Sequence, residues 1–287
     1  MRTQDPEEVI TMLNEDIRGE HAAIVQYLRH AYAMGEGEMA CEIEAIARDE
    51  MRHLEWLAET VVELGGDPTL ERGEMTIGGA SIAEWMERDV GLEQDAIALY
   101  EEHIKAIDEP KIERLLRRIV SDEQAHRHDF QHFAEKSAKK AMEPIAPLEA
   151  PAEKPPELSR MLNWGIRHEY TVILQYLYHA FMTPYEEVSE QLEDQAINEM
   201  QHLGWLAEEL TDAGGVPDIE ETGVDRSRDT VDMLSADIEV ERMVTKEYTK
   251  QIKQVDDPDL KRVITRIRDN EIYHDEVFTD LLDEVGD

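Results

Sequence analysis

Residues 50–59 read Glu50-Met51-Arg52-His53-Leu54-Glu55-Trp56-Leu57-Ala58-Glu59, and residues 199–208 read Glu199-Met200-Gln201-His202-Leu203-Gly204-Trp205-Leu206-Ala207-Glu208. The second stretch repeats the first at an offset of 149 residues, from Glu50 to Glu199. Apolar residues in both stretches recur every three to four positions, which is the spacing of an amphipathic helix. The glutamate and the histidine lie three positions apart and therefore share one helix face. The fold is thus expected to consist of helices that occur twice.

The repeat extends over nearly the whole chain. Residues 18–28 return as residues 167–177, and the glycine pair 65–66 returns as 214–215 at the same offset. Beyond the glycines the offset is 148, which relates His126 to His274, so one residue was lost in a loop that tolerates such changes. A chain of 287 residues is long enough for two domains with separate cores.

Each repeat is predicted to form four helices and no strands. The apolar spacing predicts helices over 6–35, 38–64, 81–107 and 110–137, then over 157–182, 186–213, 229–254 and 258–285. Asp5 and Pro6 are typical of a helix start, and glycine pairs of a helix end. The fold class is therefore all-α.

The longest connection in each repeat joins the second helix to the third, over about 66–80 and 214–228. A connection of this length predicts a four-helix bundle with a single crossover, in which the third helix restarts from the far end. Residues 141–156 are rich in Pro, Ala and Glu, as in a solvated linker. The predicted domains are residues 1–140 and 157–287.

The chain carries a strongly negative charge. It has 29 Lys+Arg residues against 67 Asp+Glu residues, for a formal net charge of -38. Such a charge repels nucleic acid and anionic membranes, so neither is expected as a partner. Solubility is the first explanation of this charge, and attraction of ferrous ions is the alternative.

Composition also indicates the compartment. A single cysteine, Cys41, excludes an intrachain disulfide and a four-cysteine iron centre. No segment approaches the ~20 apolar residues of a membrane helix, and the N-terminus lacks the apolar stretch of a signal peptide. A cytoplasmic protein is therefore expected.

Glutamate and histidine side chains are predicted to converge inside each bundle. The second and fourth helices each contribute a Glu-x-x-His pair on one face, and the first and third helices each contribute one glutamate. Imidazole and carboxylate favour iron or manganese, and bridging glutamates hold two such ions close together. The predicted ligands are Glu20, Glu50, His53, Glu93, Glu123 and His126, then Glu169, Glu199, His202, Glu241, Glu271 and His274.

The alternative is that these residues are solvent-facing charges on acidic helices. Glu20 lies close to Ala23 and Glu241 close to Ile238, however, so both glutamates border apolar stripes. A buried, unpaired carboxylate is costly unless it binds a metal or is protonated. One Glu-x-x-His pair is a weak signal, but four pairs in register, with a glutamate on every remaining helix, favour metal binding.

Four tyrosines lie on the same helix faces as ligands. Tyr27 and Tyr176 follow the first-helix glutamates by seven positions, or two turns, and Tyr100 and Tyr248 follow the third-helix glutamates likewise. We expect these phenols to hydrogen-bond a ligand or to supply an electron, with core packing as the equal alternative.

Acidic residues beside the ligands are predicted to affect the orientation of the ligands and the metal affinity or redox behaviour of each site. Asp89 and Asp237, one turn before the third-helix glutamates, are expected to orient a ligand histidine through its free ring nitrogen. Asp49 and Asp122 become Asn198 and Asn270 in the second repeat, so the two sites are expected to differ in metal affinity or redox behaviour.

At these residues the sequence resembles bacterioferritins and the ferritin-like domain of rubrerythrins, duplicated over nearly the whole chain. Residues 20–27, Glu-His-Ala-Ala-Ile-Val-Gln-Tyr, and residues 49–53, Asp-Glu-Met-Arg-His, look most like bacterioferritin. The resemblance implies a ferroxidase-type di-iron centre in each half. Rubrerythrins add a glutamate one turn after the third-helix ligand, where this chain has Ala96 and Val244. This difference weakens a peroxidase interpretation.

The resemblance also bears on haem and on iron storage. Met51 and Met200 occupy the position of the methionine through which bacterioferritins bind haem, although methionine is also a common core filler. A haem would then lie between the two halves. Ferritins use a short fifth helix to build a cage, and neither half has one, so a closed shell of this chain alone is not expected.

Together with this resemblance, the sequence predicts two tandem ferritin-like four-helix bundles, each with a di-iron centre that oxidises Fe(II) with dioxygen or peroxide. Manganese or a mixed-metal pair is the alternative to iron. The halves are expected to pack as a pseudo-dimer, with homo-oligomers as a further expectation. One alternative is a rubrerythrin-like reductase with a separate redox partner, and another is a non-catalytic iron-binding protein. Oxygenation of an organic substrate also suits this fold, but it needs a cavity that a sequence does not reveal.

Overall fold

The computed structural model describes residues 2–35, 37–139 and 157–286. This part of the chain forms eight helices: α1 Pro6–Met34, α2 Glu38–Glu63, α3 Ile82–Ala106, α4 Pro110–Ala138, α5 Glu157–Met182, α6 Glu186–Asp212, α7 Thr230–Gln251 and α8 Pro258–Gly286. Its β-type pairing is limited to an isolated bridge between Thr3 and Ile107. The all-α prediction is confirmed. No helix in the described ranges has both the length and the apolar character needed to cross a membrane.

The helix ends follow the residues that predict them. The Asp5 side chain accepts a hydrogen bond from the Glu7 backbone N–H at 3.1 Å, and Pro6 occupies the first turn of α1. Gly65 and Gly214, with φ of 81° and 77°, follow α2 and α6 in the left-handed conformation that favours glycine. Local backbone chemistry therefore sets where these helices start and stop.

One predicted helix end differs by three residues. We predicted that the seventh helix ends at residue 254, and α7 ends at Gln251. Residues 252–254 form a tighter turn, in which the N–H of Lys253 bonds to the carbonyl of Lys250 and the N–H of Gln254 bonds to the carbonyl of Gln251. The apolar spacing continues through this turn, which is why it resembles helix in the sequence.

The chain divides into two compact units, Met1–Pro151 and Ala152–Asp287. In the first unit α1 packs on α2 and α3 packs on α4, and in the second unit α5 packs on α6 and α7 packs on α8. Each unit is thus a four-helix bundle, as predicted. The predicted linker 141–156 lies outside the described residues, and the domain bounds 1–140 and 157–287 stay a prediction.

The long segment between α2 and α3 is hydrogen-bonded to side chains of α1. The Asn14 side chain donates to the carbonyl of Asp67 at 3.0 Å and accepts from the N–H of Thr69 at 2.8 Å. Twelve positions later Gln26 accepts from the N–H of Thr76 at 2.8 Å. The second bundle repeats these contacts with Asn163 on Val216 and Asp218, and with Gln175 on Asp225. The segment therefore follows the first helix of its bundle, as a single crossover requires.

Aromatic residues pack beside the polar interior of each bundle. The rings of Tyr27 and Phe130 lie 4.7 Å apart in the first bundle, and those of Tyr176 and Phe278 lie 5.1 Å apart in the second. All four side chains are fully buried. This packing holds the two tyrosines rigidly on the faces that also carry the predicted ligands.

Candidate metal centres

Every helix of the first bundle contributes to one buried cluster of charged side chains. The helices α1 and α3 contribute one glutamate each, and α2 and α4 contribute one glutamate and one histidine each, at the three-residue spacing that puts both on one face. The six residues are Glu20, Glu50, His53, Glu93, Glu123 and His126, none more than 5% exposed. The structure therefore brings together all six residues that the sequence predicted as ligands of the first site.

The six residues form two overlapping groups of four. Glu20 and His53 belong to one group and Glu93 and His126 to the other, while the two remaining glutamates, of α2 and α4, belong to both. In each group the possible ligand atoms lie within 4.8 Å of one another. Two shared carboxylates between two histidine–glutamate pairs are the donor set of a two-metal site.

The second bundle repeats this arrangement. Glu199 and Glu271 are shared between a group with Glu169 and His202 and a group with Glu241 and His274. None of the six side chains is more than 1% exposed. The predicted ligands of the second site are thus also brought together, on α5, α6, α7 and α8.

In both bundles the ligand histidines form ion pairs with the ligand carboxylates, but several of the ligand atoms have no hydrogen-bond partner. Nδ1 of His126 lies 2.9 Å from Oε1 of Glu50, and Nδ1 of His274 lies 2.8 Å from Oε1 of Glu199, yet none of these four atoms makes a hydrogen bond. Other buried atoms without a hydrogen-bond partner are Oε2 of Glu93, Oε1 of Glu123, Oε2 of Glu169, Oε2 of Glu241 and Oε1 of Glu271. Buried carboxylates without partners are costly, and divalent cations would satisfy them. The residues present therefore fit a pair of metal ions in each bundle.

Burial and mutual repulsion shift the protonation of the carboxylates. Burial, and then repulsion by Glu123 and Glu50, raises the pKa of Glu20 well above its usual range. In the second bundle burial and repulsion by Glu199 raise the pKa of Glu271 to about 8. Metal-free clusters therefore hold protons at neutral pH, and a cation must displace them.

The pKa values of the ligand histidines are raised, which favours the charged imidazolium form. Burial lowers the pKa of His126, but the nearby carboxylates of Glu123 and Glu50 outweigh burial and raise it to about 10. Burial likewise opposes the shift at His274, where the charge of Glu199 raises the pKa to about 12. Without a cation, imidazolium groups supply the positive charge that the carboxylates need.

The tyrosines contact ligands across the bundle. Tyr27 donates a hydrogen bond to Oε1 of Glu93 at 2.6 Å, and Tyr100 donates to Glu20. The second bundle repeats both contacts, with Tyr176 donating to Glu241 and Tyr248 donating to Glu169. Each phenol therefore orients the glutamate of the facing helix, and not the one two turns before it on its own helix.

Asp89 and Asp237 bind histidines outside the ligand set. Oδ2 of Asp89 lies 2.8 Å from Nδ1 of His30, and its Oδ1 accepts from the Gln26 amide at 2.8 Å. Asp237 binds His179 and Gln175 in the same way. Asp89 and Asp237 were expected to orient a ligand histidine, and the structure places them against His30 and His179. Sequence analysis missed this buried network, although His30 and His179 return at the repeat offset of 149.

The outward-facing nitrogens of the ligand histidines meet different partners in the two bundles. Nε2 of His53 lies 3.4 Å from Asp122, and Nε2 of His126 lies 3.5 Å from Asp49. In the second bundle Nε2 of His202 meets the neutral side-chain amide of Asn270 at 3.0 Å. A carboxylate on the far nitrogen increases the basicity of a ligand histidine. The aspartate-to-asparagine change therefore alters the hydrogen-bond partner of the predicted ligand His202.

The two methionines of the haem prediction are half-buried. Met51 lies on α2 and Met200 on α6, each one residue after a shared glutamate. Nothing within either bundle tests haem binding there, so this expectation stays a prediction.

A buried pair in the first bundle was also missed. Asp16 and His103 are 2% and 4% exposed, and Oδ1 of Asp16 lies 2.9 Å from Nδ1 of His103. Burial, opposed by the histidine, raises the pKa of Asp16 to about 6. Asp16 lies one turn before Glu20, a spacing that would have placed it on the ligand face.

Comparison with known proteins agrees with this geometry. A family model described as the ferritin-like domain matches residues 10–139 and again residues 160–286. The chain is 36% identical to the bacterioferritin of Desulfovibrio desulfuricans over 124 residues, which cover 41% of this chain and 69% of that protein. It is 33% identical to bacterioferritin BfrA of Mycobacterium tuberculosis over 129 residues, which cover 42% of this chain and 80% of that protein.

A solved structure is also similar. The Desulfovibrio desulfuricans bacterioferritin, determined with its diiron site in different catalytic states, aligns at 33% identity with a TM-score of 0.44, over 52% of this chain and 95% of that chain. The two matches to the family model cover most of the chain and fall one in each bundle. The chain therefore belongs to the ferritin-like family and contains two ferritin-like domains in tandem.

Proposed function

We propose that each bundle binds two iron ions and oxidises Fe(II), with dioxygen or peroxide as the oxidant. The observation that supports this most strongly is the twofold occurrence of two histidines and four carboxylates, several of whose buried ligand atoms lack hydrogen-bond partners. An iron pair bound there supplies two electrons, one from each ion. The similarity to bacterioferritins supports an iron-storage or ferroxidase role.

The residues of the chain bind the ions and fix their ligands. In the first bundle Glu50 and Glu123 belong to both ligand groups and would help to hold both ions. Tyr27 and Tyr100 hold Glu93 and Glu20 in orientation by donating hydrogen bonds to them. Burial of all these groups excludes bulk water and strengthens their attraction for cations.

Anaerobic titration tests the proposal. Fe(II) is added to the metal-free chain, bound iron is counted, and dioxygen or peroxide is then admitted while near-ultraviolet absorbance is followed. We expect about four irons per chain, two for each bundle, and rapid oxidation. Iron that binds and stays reduced in air would favour the non-catalytic alternative. Peroxide turnover that requires an added reductase would favour the rubrerythrin-like alternative, and absence of iron binding would overturn the proposal.

A further inference from the structure

A cavity of about 140 Å³ lies between α1 and α3 of the first bundle, beside the metal cluster. Five small or aliphatic residues, two tyrosines and five carboxylates line it. The apolar part of the lining is formed by Gly19, Ala23, Tyr27, Leu92, Ala96, Leu99 and Tyr100. The predicted ligands Glu20, Glu93 and Glu123 also line it, and the exposed Asp95 marks where it reaches the surface. A molecule in this cavity would therefore touch the predicted metal site.

Besides the predicted ligands Glu93 and Glu123, which also carry a buried oxygen without a partner, Asp16 gives the cavity an unsatisfied hydrogen-bond acceptor outside the ligand set. The residue lines the cavity and is 2% exposed, and its Oδ1 is engaged with His103 at 2.9 Å. Its Oδ2 is buried and has no hydrogen-bond partner. A buried acceptor of this kind is costly unless a ligand or a water molecule donates to it.

The same positions are filled in the second bundle. His168 stands where the first bundle has Gly19, and it stacks on Trp164 with ring centroids 5.5 Å apart. Val244 replaces Ala96 and is 1% exposed. Gly165 replaces Asp16, and a Cβ added there would lie 2.8 Å from Cδ1 of Leu206. A Cβ added at Gly19, in contrast, meets no atom within 4 Å.

We propose that this cavity binds one small apolar molecule that carries a single hydrogen-bond donor, of the size of phenol. A dry cavity of about 150 Å³ accommodates benzene in another protein, so the volume suits one aromatic ring. The aliphatic and aromatic part of the lining matches the ring, and Oδ2 of Asp16 accepts from the hydroxyl. The ligand would lie beside Glu20 and Glu93 in the first bundle only. This site does not depend on the proposed iron oxidation.

Binding of phenol and toluene to the full-length chain tests the proposal by calorimetry. We expect one phenol per chain, bound at least about tenfold more tightly than toluene, because only phenol donates to Asp16. Asp16→Asn is expected to reduce this preference. Gly19→Leu is expected to abolish binding, because the new side chain enters the open space.

Gly91→Leu is the matched control, because a Cβ at Gly91 also meets no atom within 4 Å and Gly91 does not line the cavity. We expect it to bind phenol as the unmodified chain does. Ala96→Val copies the second bundle and should weaken binding, which keeps the proposal testable if Gly19→Leu fails to fold. A folded chain that binds no phenol, and so holds only water in the cavity, would overturn the proposal, as would equal binding by Gly19→Leu. Iron titration of the same samples reports separately on the proposed function.

Discussion

At the scale of single residues, Glu50 and Glu123 are the two residues that both ligand groups of the first bundle share. Glu50 and Glu123 each offer two carboxylate oxygens to a buried interior in which both ligand groups meet. The histidines complete one group each. Removal of a shared glutamate together with its helix partner therefore damages both groups of one bundle and leaves the other bundle unchanged.

Replacement of Glu50 and His53 by alanine is expected to lower the iron content from about four ions per chain to about two. Glu199→Ala with His202→Ala should have the same effect through the second bundle. Anaerobic binding assays give both counts. Glu59→Ala, an exposed glutamate on α2, serves as the control and should keep all the iron. Full iron retention by the Glu50/His53 variant would refute the ligand assignment.

His168 makes the second bundle sensitive to acid. Burial lowers the pKa of this histidine from its ordinary value of 6.5 to about 4. Below pH 6.5 the unfolded chain therefore gains a proton that the folded chain does not accept until about pH 4. The stability that neutral His168 contributes is thus present at pH 7 and is lost as the pH falls.

His168→Gln is expected to remove this dependence. Between pH 7 and pH 5 the unmodified chain should lose about 2 kcal/mol more free energy of unfolding than the variant, from 1.36 kcal/mol per pKa unit. Urea unfolding of the metal-free proteins at both pH values measures the difference. Identical pH dependence of the two proteins would show that His168 is protonated without penalty in the fold.

The ligand set could be predicted from the sequence, whereas its supporting contacts could not. A three-residue spacing within one helix puts Glu50 and His53 on a common face whatever surrounds them. The partner of Tyr27 depends on how α1 lies against α3, and no spacing within α1 contains that information. The same holds for Asp89, which meets His30 on a neighbouring helix. The cavity could not be predicted from the sequence either, because it depends on which residues lie opposite Gly19 across the bundle.

At the scale of elements, one asparagine in each bundle binds the beginning of the crossing segment. Asn14 bonds to the backbone at Asp67 and Thr69, and Asn163 bonds to Val216 and Asp218 in the same pattern. These segments have no helix or strand of their own, so side chains satisfy part of their backbone. The asparagines therefore hold the irregular segment against the first helix.

Asn14→Ala and Asn163→Ala are each expected to cost about 1–3 kcal/mol of folding free energy, because a backbone N–H and a carbonyl lose their partners. Chemical denaturation and proteolysis at residues 64–81 and 213–229 measure the effect. Asn198→Ala is the matched control, since the Asn198 side chain bonds to the carbonyl of Asp194 in its own helix. An effect of Asn198→Ala as large as that of Asn14→Ala would count against anchoring.

The helices themselves were largely predictable, because their ends carry residues with local backbone preferences. Pro110 and Pro258 occupy the first turns of α4 and α8. The end of α7 was not predictable from spacing, since the turn at 252–254 keeps the apolar pattern while its hydrogen bonds tighten. The apolar periodicity indicates which face of a helix is buried, whereas the backbone hydrogen bonds determine where the helix ends.

At the scale of the whole molecule, a net charge of -38 serves solubility, attraction of ferrous ions, or both. If the charge attracts iron, the rate of Fe(II) binding should fall several-fold as ionic strength rises from 0.02 to about 0.5 M, because salt screens the field. Stopped-flow mixing measures this rate. Reaction of the iron-loaded chain with uncharged hydrogen peroxide is the control and should depend little on salt. An iron-binding rate that is insensitive to salt would leave solubility as the explanation.

Replacement of both Met51 and Met200 by leucine is expected to leave iron binding intact and to remove any haem absorbance. The two positions are equivalent across the repeats, so a haem between the halves would lose both its ligands. Absorbance spectra and iron counts of the purified variant test this. Haem absorbance that survives the double replacement would assign any haem to other residues.

The repeat made the two bundles predictable, but their mutual arrangement was not. Residues that return at a fixed offset indicate the interior of each bundle, but they carry no information on how the two bundles are arranged. The pseudo-dimer, the homo-oligomer and the cytoplasmic location accordingly stay predictions. The match of a ferritin-like domain to each half confirms the tandem organisation.

The cavity beside Gly19 and its filled counterpart at His168 belong to one polypeptide. Each translated chain therefore contains one bundle of each kind, and the two kinds are made in equal numbers. No change in transcription or in messenger lifetime can alter that ratio. Two separate genes would let a cell enrich one kind of bundle. A single chain fixes the ratio of the two bundles at one to one.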